Sequence, residues 1–218
     1  MNAVDFRIGT TDAQVFALLL DVDDLAPTPG DLAEAPKGAM REAFLRRRAA
    51  TRRLVAERLG VAASEVEIGH DDKGAPRLLS PQAPLFLSVS GRGDFCAIAL
   101  GSNALGVDIE PLEPEAEPIR SALHPSEVAM LRALPKDAQI EAFLRLWTAK
   151  EAYLKALGSG FSREPATIAV DLEFRVFDEG AGVPLAAGEW RGFEFSDRRF
   201  LMACVVLQRE TPLSKQLF

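Results

Sequence analysis

The sequence of 218 residues predicts an α+β protein made of two similar halves in a pseudo-twofold arrangement. Two observations favour this fold class: each half contains one long helical stretch, and a β-hairpin pattern follows each helix. A third is that the return strand of each hairpin carries a cysteine, in "FCAIAL" and in "LMACVVL". The boundary near Gly101 to Gly106 divides the chain into an N-terminal half, residues 1–101, and a C-terminal half, residues 102–218. The halves share little sequence identity, so the duplication is a hypothesis from element order.

The elements of the N-terminal half follow from its turn and cap residues. An extended segment, Ala13 to Val22, leads into the Pro/Gly/Asp-rich stretch "DDLAPTPGDLAEAPKG", which predicts a loop. A helix is expected from about Met40 to Leu59, because Gly60 stands where helices commonly end. "PLFLSVSGRGDFCAIALG" predicts a hairpin that turns at residues 91–94. The strand "GVDIE" comes next and is followed by a Pro/Glu-rich connection.

The C-terminal half has the same order of elements. A short helix is expected to begin near Pro125, with Glu127 placed to cap its amino end. A long helix is expected from about residue 138 to residue 157, and Gly158 ends it. A strand around residues 167–176 and the hairpin "WRGFEFSDRRFLMACVVL" complete the half.

The charge of the chain is acidic but unevenly distributed. It has 25 Lys and Arg against 32 Asp and Glu, a formal net charge of −7, which argues against a general nucleic-acid binder. The basic residues concentrate in "REAFLRRRAATRRLVAER", Arg41 to Arg58. One arginine-rich surface on an acidic protein suggests a local anionic ligand, although a solvated helix face explains the same pattern.

The apolar runs and the cysteines indicate a cytoplasmic protein. Runs such as "VFALLL" are too short to cross a bilayer, and the amino end lacks the basic and hydrophobic regions of a secretory signal. The two cysteines, Cys96 and Cys204, lie in strand-like apolar runs. Core thiols in a reducing cytoplasm explain them better than a disulfide or a metal site.

Two carboxylates lie two positions apart in "GVDIE", residues 106–110. Successive side chains of a strand point to opposite faces, so Asp108 and Glu110 share one face. At about 5 Å, two such charges repel by roughly 3 kcal/mol at an effective dielectric of 20. A cation between them removes this cost, and oxygen ligands without His or Cys favour Mg²⁺. A solvated edge strand is the competing interpretation, and it is the better one for "DVDD", Asp21 to Asp24.

A second stretch, "LWTAKEAYLKALG", favours the cation at "GVDIE". Glu151 and Lys155 are four residues apart and share one helix face. Such pairs on exposed helices are common and contribute only a few tenths of a kcal/mol. Here apolar neighbours, Trp147 among them, should hold the helix against the core. A third carboxylate beside Lys150 and Lys155 suits a magnesium site that also holds a phosphate.

Together the two motifs resemble those of the Sfp-type 4′-phosphopantetheinyl transferases. The family's signatures are G-[VI]-D-[IVL]-E and, about forty residues later, W-[ST]-x-K-E-[AS]-x-x-K. This chain has "GVDIE" and "WTAKEAYLK" at that separation. The length, the two-half layout, the arginine-rich helix and the closing hairpin also agree. The resemblance implies the monomeric, internally duplicated type of this fold.

The resemblance implies a Mg²⁺-dependent reaction. The enzyme would move the phosphopantetheine arm of coenzyme A to a serine of an apo acyl or peptidyl carrier protein and release adenosine 3′,5′-bisphosphate. Asp108, Glu110 and Glu151 correspond to the Mg²⁺ ligands. Lys155 corresponds to a lysine that contacts the diphosphate, and Lys150 is a weaker candidate for that role. Glu151, directly or through a metal-bound water, is the candidate base for the serine hydroxyl.

The resemblance also implies a cationic site for the 3′-phosphate of coenzyme A. Arg47, Arg48 and Arg52 on the first long helix serve as one patch. "DDKGAPRL" resembles a G-K-P-like turn of the family, but alanine stands where lysine is usual. Lys73 or Arg77 is expected to compensate.

The stretch "FLSVSG" departs from the family pattern F-N-[LIV]-S-H-S. Leu87 and Val89 replace the usual asparagine and histidine, while Ser88 and Ser90 are retained, and Ser88 is counted among the coenzyme-binding residues. The family's histidine contacts a phosphate of the coenzyme. Its loss removes a bond of about 1.5–3 kcal/mol, which would weaken coenzyme binding about ten- to a hundredfold.

Two alternatives remain open from the sequence. The first is a degenerate family member that binds a carrier protein or nucleotide without turnover, as Leu87 and Val89 suggest. The second is a Mg²⁺-dependent hydrolase of nucleotide diphosphates, which needs an activated water instead of a carrier serine. Adjacent carboxylates are a functional-site signal and favour the transferase over a binding module. A carrier would dock at the connection after Glu110 or at "GSGFSREP", Gly158 to Pro165.

Overall fold

The computed structural model describes residues 3–20, 25–113, 120–158, 163–178, 185–195 and 197–208. The N-terminal half contributes six strands and two helices before residue 102. In chain order these are β1 (Ala3–Arg7), β2 (Gln14–Leu19), α1 (Pro29–Glu34), α2 (Met40–Leu59), β3 (Glu67–His70), β4 (Pro76–Ser80), β5 (Phe86–Arg92) and β6 (Phe95–Gly101).

The C-terminal half begins with the strand that carries the paired carboxylates. Its elements are β7 (Leu105–Pro111), α3 (Pro125–Ala133), α4 (Lys136–Ala156), β8 (Ala169–Val170), β9 (Val176–Phe177), β10 (Leu185–Phe195) and β11 (Arg198–Leu207). Short 3₁₀ turns precede β3, α3 and β8.

The strands form two principal antiparallel sheets. One has the order β1-β2-β6-β5 and the other has the order β10-β11-β7. The predicted boundary at residues 101 and 102 therefore falls between β6 and β7, which belong to different sheets. The small pairs β3-β4 and β8-β9 lie outside them.

The core has four layers, with one long helix on each outside. α2 packs against Leu18, Ile98 and their neighbours in the four-stranded sheet, and α4 packs against Ala203 and its neighbours in the three-stranded sheet. A third apolar cluster lies between the sheets and includes Val15 from one and Val107 from the other. Because this middle cluster draws on both halves, neither half buries its apolar surface alone.

β5 and β7 are the edge strands at which the sheets meet, and side chains rather than backbone ladders join them. The hydroxyl of Ser88 accepts a hydrogen bond of 3.1 Å from the backbone N–H of Val107. The hydroxyl of Ser90 donates to Asp108 at 2.7 Å. The two serines of "FLSVSG" therefore connect the halves beside the carboxylate strand.

The predicted helices and hairpins are confirmed. α2 ends at Leu59, and Gly60 follows with φ of 68°, a left-handed conformation that glycine adopts without steric cost. α3 begins at Pro125 with the predicted Glu127 cap, and α4 covers the expected long helix. The two hairpins pair as predicted, β5 with β6 and β10 with β11.

Two local predictions are wrong. The stretch expected to be a loop contains α1, because Thr28 and Asp31 form a capping box and Pro29 fills the first helical turn. The strand expected over residues 167–176 is only a two-residue pair, since Asp171 accepts hydrogen bonds from the backbone N–H groups of residues 173 and 175 and turns the chain. The stretch "DVDD" lies outside the described residues.

The two cysteines are core thiols, as the sequence predicts. Cys96 and Cys204 are free and fully buried. Burial raises the pKa of each thiol to about 12. Among the described helices, none combines the length and the apolar character that a membrane crossing requires.

Candidate active site

Gly106, the first residue of "GVDIE", brings β7 and α4 into direct contact. A Cβ atom at this position would lie 1.9 Å from the carbonyl oxygen of Ala152 and 2.6 Å from the backbone nitrogen of Ala156. The helix backbone therefore rests on the strand at the glycine, which is a close approach that no other residue permits. This contact sets the acidic residues of β7 beside Glu151 and Lys155 of α4.

Asp108 lies in the middle of β7 and is almost fully buried. Its Oδ1 atom accepts hydrogen bonds of 2.7 Å from Lys155 Nζ and of 2.7 Å from Ser90. Its Oδ2 atom is buried and has no hydrogen-bond partner among the described residues. A buried, ionised oxygen without a partner is costly, so this atom is available for a cation.

Glu110, two residues later, is fully engaged by the protein. The guanidinium of Arg92 binds it in a bidentate manner, with Nε 2.7 Å from Oε2 and Nη2 on Oε1. The indole N–H of Trp147 donates to Oε1 at 3.1 Å. The hydrogen bond to Glu110 raises the pKa of Arg92 above its ordinary value. Although Asp108 and Glu110 share a face, they have different partners.

Glu151 is the acidic residue that α4 contributes. Within the described residues, its carboxylate makes no hydrogen bond and no ion pair. Burial, and then the charges of Asp108 and Glu110, raise the pKa of Glu151, while Lys155 and Arg92 oppose the shift. The three predicted ligands are therefore close enough to interact electrostatically.

These residues fit a hard divalent cation that is only partly held by protein. Among the described residues, no three His, Cys, Asp or Glu side chains are gathered tightly enough to hold a metal ion as they stand. Within the described segments, Asp108 and Glu151 have oxygen atoms without partners, whereas both oxygens of Glu110 accept hydrogen bonds. Mg²⁺ commonly takes one or two carboxylates and completes its shell with water and substrate phosphate oxygens. The donor set agrees with that chemistry.

Lys155 and Lys150, the two lysines of the helix motif, have different surroundings. Lys155 contacts Asp108 and the carbonyl oxygen of Val107, and 31% of its side chain remains exposed. Its ammonium can therefore reach a ligand while it stays beside the carboxylate.

Lys150 does not lie in the site. Its side chain is 0% exposed, and its Nζ atom is 2.5 Å from Glu127. It also donates to the carbonyl oxygens of Ala122 and Pro165, both at 3.0 Å. These three acceptors satisfy the three N–H groups of the ammonium. Lys150 therefore connects α4 to α3 through Glu127 and to the chain before β8 through Pro165. The expectation that Lys150 contacts a diphosphate disagrees with this placement.

A cleft of about 360 Å³ opens beside Glu151 and Lys155. A smaller recess of about 220 Å³ adjoins it, since Gly74, Pro76 and Val89 line both. The cleft takes its walls from both halves of the chain, and the recess lies against α2. An elongated ligand could occupy the two together, with one end at the carboxylates and the other at the arginine-rich helix.

The three arginines of the predicted 3′-phosphate patch have different partners and different exposure. Arg47 lines the recess and makes no side-chain hydrogen bond or ion pair with the described residues, and burial lowers its pKa. Arg48 also lines the recess but pairs with Glu34 and donates to the carbonyl oxygen of Ile68. Arg52 is 2% exposed and is 3.3 Å from Asp31, so it stabilises the interior beside α1 instead of facing a ligand.

The residues of the turn before β5 also differ. Lys73 lines the cleft, whereas Arg77 is not among the lining residues and pairs with Asp71 at 3.0 Å. Ser88 lines the cleft, but its hydroxyl is used by Val107. Leu87 and Val89 line the same cleft, so the departures from the family pattern make its wall apolar.

Sequence reasoning missed two residues of the site. Trp147 was expected only on an apolar face, but its indole N–H also holds Glu110. Arg92 was not singled out at all. The available signal was its position, because an arginine that ends a hairpin strand beside an acidic strand has a partner within reach. The predicted docking segments after Glu110 and after Gly158 lie partly outside the described residues.

The sequence is similar to those of known proteins. The family described as the 4′-phosphopantetheinyl transferase superfamily matches residues 104–203, which include β7, α4 and most of the β10-β11 hairpin. The chain is 35% identical over 138 residues to the 4′-phosphopantetheinyl transferase AcpT of Escherichia coli, covering 61% of this chain and 67% of AcpT.

Two cyanobacterial proteins match over somewhat smaller shares of their length. One is described as a putative 4′-phosphopantetheinyl transferase of Synechocystis sp., 31% identical over 153 residues, 67% of this chain and 60% of that protein. The other is the 4′-phosphopantetheinyl transferase HetI of Nostoc sp., 33% identical over 130 residues, 56% of this chain and 54% of HetI. On the matches to the superfamily and to AcpT, this chain belongs to the 4′-phosphopantetheinyl transferase superfamily.

Proposed function

We propose that this protein transfers the 4′-phosphopantetheine group of coenzyme A to a serine of an apo carrier protein and depends on Mg²⁺. The observation that carries the proposal is the meeting of Asp108, Glu151 and Lys155 beside a cleft whose adjoining recess lies against the arginine-rich helix. Family membership supports the same reaction class. The released product would be adenosine 3′,5′-bisphosphate.

Asp108 and Glu151 would hold the cation, and Glu110 lies two residues after Asp108 in β7. Bound there, Mg²⁺ supplies charge neutralisation to the diphosphate and to the oxygen of the departing phosphate. Lys155 would contribute a second positive charge at the same place, since its ammonium already lies 2.7 Å from Asp108. Lys155 is held in place by Asp108 and Val107 without a substrate, and a positioned positive charge of this kind favours phosphoryl transfer.

The covalent step would be an in-line displacement. The carrier serine Oγ forms a bond to the phosphorus that bears the pantetheine arm, and the bond from that phosphorus to the bridging oxygen breaks. The electron pair leaves with adenosine 3′,5′-bisphosphate, and the serine proton passes to Glu151. Burial and then the charge of Asp108 raise the pKa of Glu151 in the absence of a cation, and a bound cation would lower it again.

The nucleotide end of coenzyme A would extend toward the recess beside α2. Arg47 is the best candidate for the 3′-phosphate, because it lines the recess and its side chain has no hydrogen-bond or ion-pair partner in the described segments, and Arg48 lies beside it. Lys73 lines the cleft between the two ends. The expected partners are acyl or peptidyl carrier proteins, the expected state is a monomer, and the expected compartment is the cytoplasm.

Mass spectrometry tests the transfer directly. Several apo carrier proteins, acyl and peptidyl, are incubated with coenzyme A, Mg²⁺ and the protein. A phosphopantetheine mass gain on the carrier serine supports the proposal, and Lys155→Met should remove most of it. Lys136→Met, an exposed lysine on the same helix, is the matched control and should transfer normally. Absence of a mass gain on every carrier would contradict catalysis.

A binding module is the second candidate, and the apolar wall formed by Leu87 and Val89 favours it. Such a protein would bind the carrier protein tightly but would bind coenzyme A no better with Mg²⁺ than without. Calorimetry with each ligand separates this candidate from the transferase.

A further inference from the structure

Arg92 is the unexplained residue of the site. It ends β5 opposite Phe95 of β6, and its side chain reaches Glu110 of β7. Its guanidinium donates hydrogen bonds to both carboxylate oxygens of Glu110, and the indole N–H of Trp147 also donates to Oε1. Among the residues that the structure describes, no donor binds Glu151 or the Oδ2 atom of Asp108 in this way. Asp108 is paired with Lys155 through one oxygen only, so Glu110 is the carboxylate of the three whose two oxygens are both bound by the protein.

We propose that Arg92 competes with the divalent cation for Glu110 and thereby sets the cation affinity of the site. This inference rests on the proposed function, because it takes the carboxylates as the cation site. With Arg92 in place, Asp108 and Glu151 provide the two protein ligands. With Arg92 displaced, Glu110 becomes a third ligand, so the protein has a weaker and a stronger cation-binding arrangement.

The exposure of the two partners makes the exchange feasible. The side chain of Arg92 is 45% exposed, whereas that of Glu110 is 12% exposed. Arg92 can rotate into solvent and remain hydrated, but Glu110 stays at the site. A half-exposed pair is screened by water, so its competition with the cation is moderate. A bidentate geometry nevertheless makes it stronger than a simple surface pair.

Titration with Mn²⁺, a stand-in for Mg²⁺, tests the competition without coenzyme A or a carrier. Free Mn²⁺ is counted by its electron paramagnetic resonance signal. Arg92→Gln should tighten Mn²⁺ binding by about threefold to tenfold relative to the unmodified protein. In the Glu110→Gln background, Arg92→Gln should change the affinity by less than about twofold, because the group under competition is gone.

Two controls separate competition from general electrostatics. Lys73→Gln removes a positive charge that lines the same cleft and should shift Mn²⁺ affinity less than Arg92→Gln does. Arg92→Lys keeps the charge but loses the bidentate geometry, and it should fall between Arg92→Gln and the unmodified protein. Binding that appears only in Arg92→Gln also supports competition.

The inference is overturned if Arg92→Gln weakens Mn²⁺ binding or leaves it unchanged, or if neither protein binds Mn²⁺. An equal gain in the Glu110→Gln background also contradicts it. The measurement does not depend on group transfer. A protein that fails to modify any carrier can still support this inference, and an active transferase can still contradict it.

Discussion

The two oxygens of Asp108 have different surroundings. Oδ1 is held by Lys155 and Ser90, while Oδ2 is buried without a partner in the described part of the chain. An isolated buried charge is expensive, and a carboxylate survives there because two donors hold one side of it. The orientation of the Asp108 carboxylate is therefore set by Ser90 and Lys155 as well as by the strand.

Ser90→Ala should lower stability and disturb the site together. It removes one hydrogen bond to a buried carboxylate, so the free energy of unfolding should fall by about 1.5–3 kcal/mol in urea titrations. Ser64→Ala, which alters an exposed serine, is the control and should change it by less than about 0.5 kcal/mol. Equal losses in the two variants would contradict the role given to Ser90.

The two thiols should be inert in the folded protein. Burial raises the pKa of Cys96 and Cys204 to about 12, so at pH 8 only about one thiol in ten thousand is ionised. A chromogenic disulfide reagent should not react during minutes in buffer and should titrate both thiols in urea. Stoichiometric reaction of the native protein within minutes would contradict their burial.

At the scale of elements, the contact between β7 and α4 determines the site. Gly106 permits that contact, and the residues that follow it on β7 face those that α4 contributes. Gly106→Ala would force a Cβ into the helix backbone, so we expect a loss of at least about 3 kcal/mol in the free energy of unfolding.

Gly192→Ala is the matched control for that substitution. Gly192 also lies in a strand, β10, but the nearest atom to an added Cβ is 3.9 Å away. In Gly192→Ala, the free energy of unfolding of the protein should change by less than about 1 kcal/mol. If urea titration gives the same value for both variants, the close approach at Gly106 is not a packing constraint.

The buried pair of Lys150 and Glu127 connects α4 to α3. Lys150→Met leaves Glu127 buried without its cation, so the free energy of unfolding should fall by about 3–5 kcal/mol. Lys136→Met, which alters an exposed residue of α4, should change the free energy of unfolding little. The transfer rate per folded molecule should be unchanged in Lys150→Met, and a large loss of that rate with normal stability would restore its catalytic assignment.

At the scale of the whole molecule, the cleft lies where the halves meet. Leu87 and Lys73 come from the N-terminal half, whereas Glu151 and Lys155 come from the C-terminal half. The apolar cluster between the sheets fixes the two halves against each other. A site of this kind requires both halves to be folded, because each supplies part of its wall.

Much of this arrangement could be predicted from the sequence. Gly60, Pro125 and Glu127 are local signals, and the helices begin and end where they indicate. Alternation in "GVDIE" placed Asp108 and Glu110 on one face. Thr28 and Asp31 are also local signals, for the start of α1. The surrounding proline and glycine residues favoured a loop in the prediction, so this helix was missed.

The partners of charged side chains could not be predicted in the same way. The helix motif ranks Lys155 above Lys150 but does not show that Lys150 is buried beside Glu127, since tertiary packing places Lys150 there and leaves Lys155 at the cleft. Arg52 and Arg47 belong to one arginine-rich helix, yet Arg52 forms a buried ion pair with Asp31 and does not face a ligand site. Such pairings depend on residues distant in sequence.

The most direct test of the account is calorimetry of coenzyme A binding with and without Mg²⁺. The central claim is that an acidic residue of β7 and one of α4 share a cation that contacts the ligand. Mg²⁺ should therefore tighten coenzyme A binding in the unmodified protein and in Glu164→Gln, whose acidic group lines the same cleft. It should have no such effect in Asp108→Asn or in Glu151→Gln. An identical response to Mg²⁺ in all four proteins would contradict the claim.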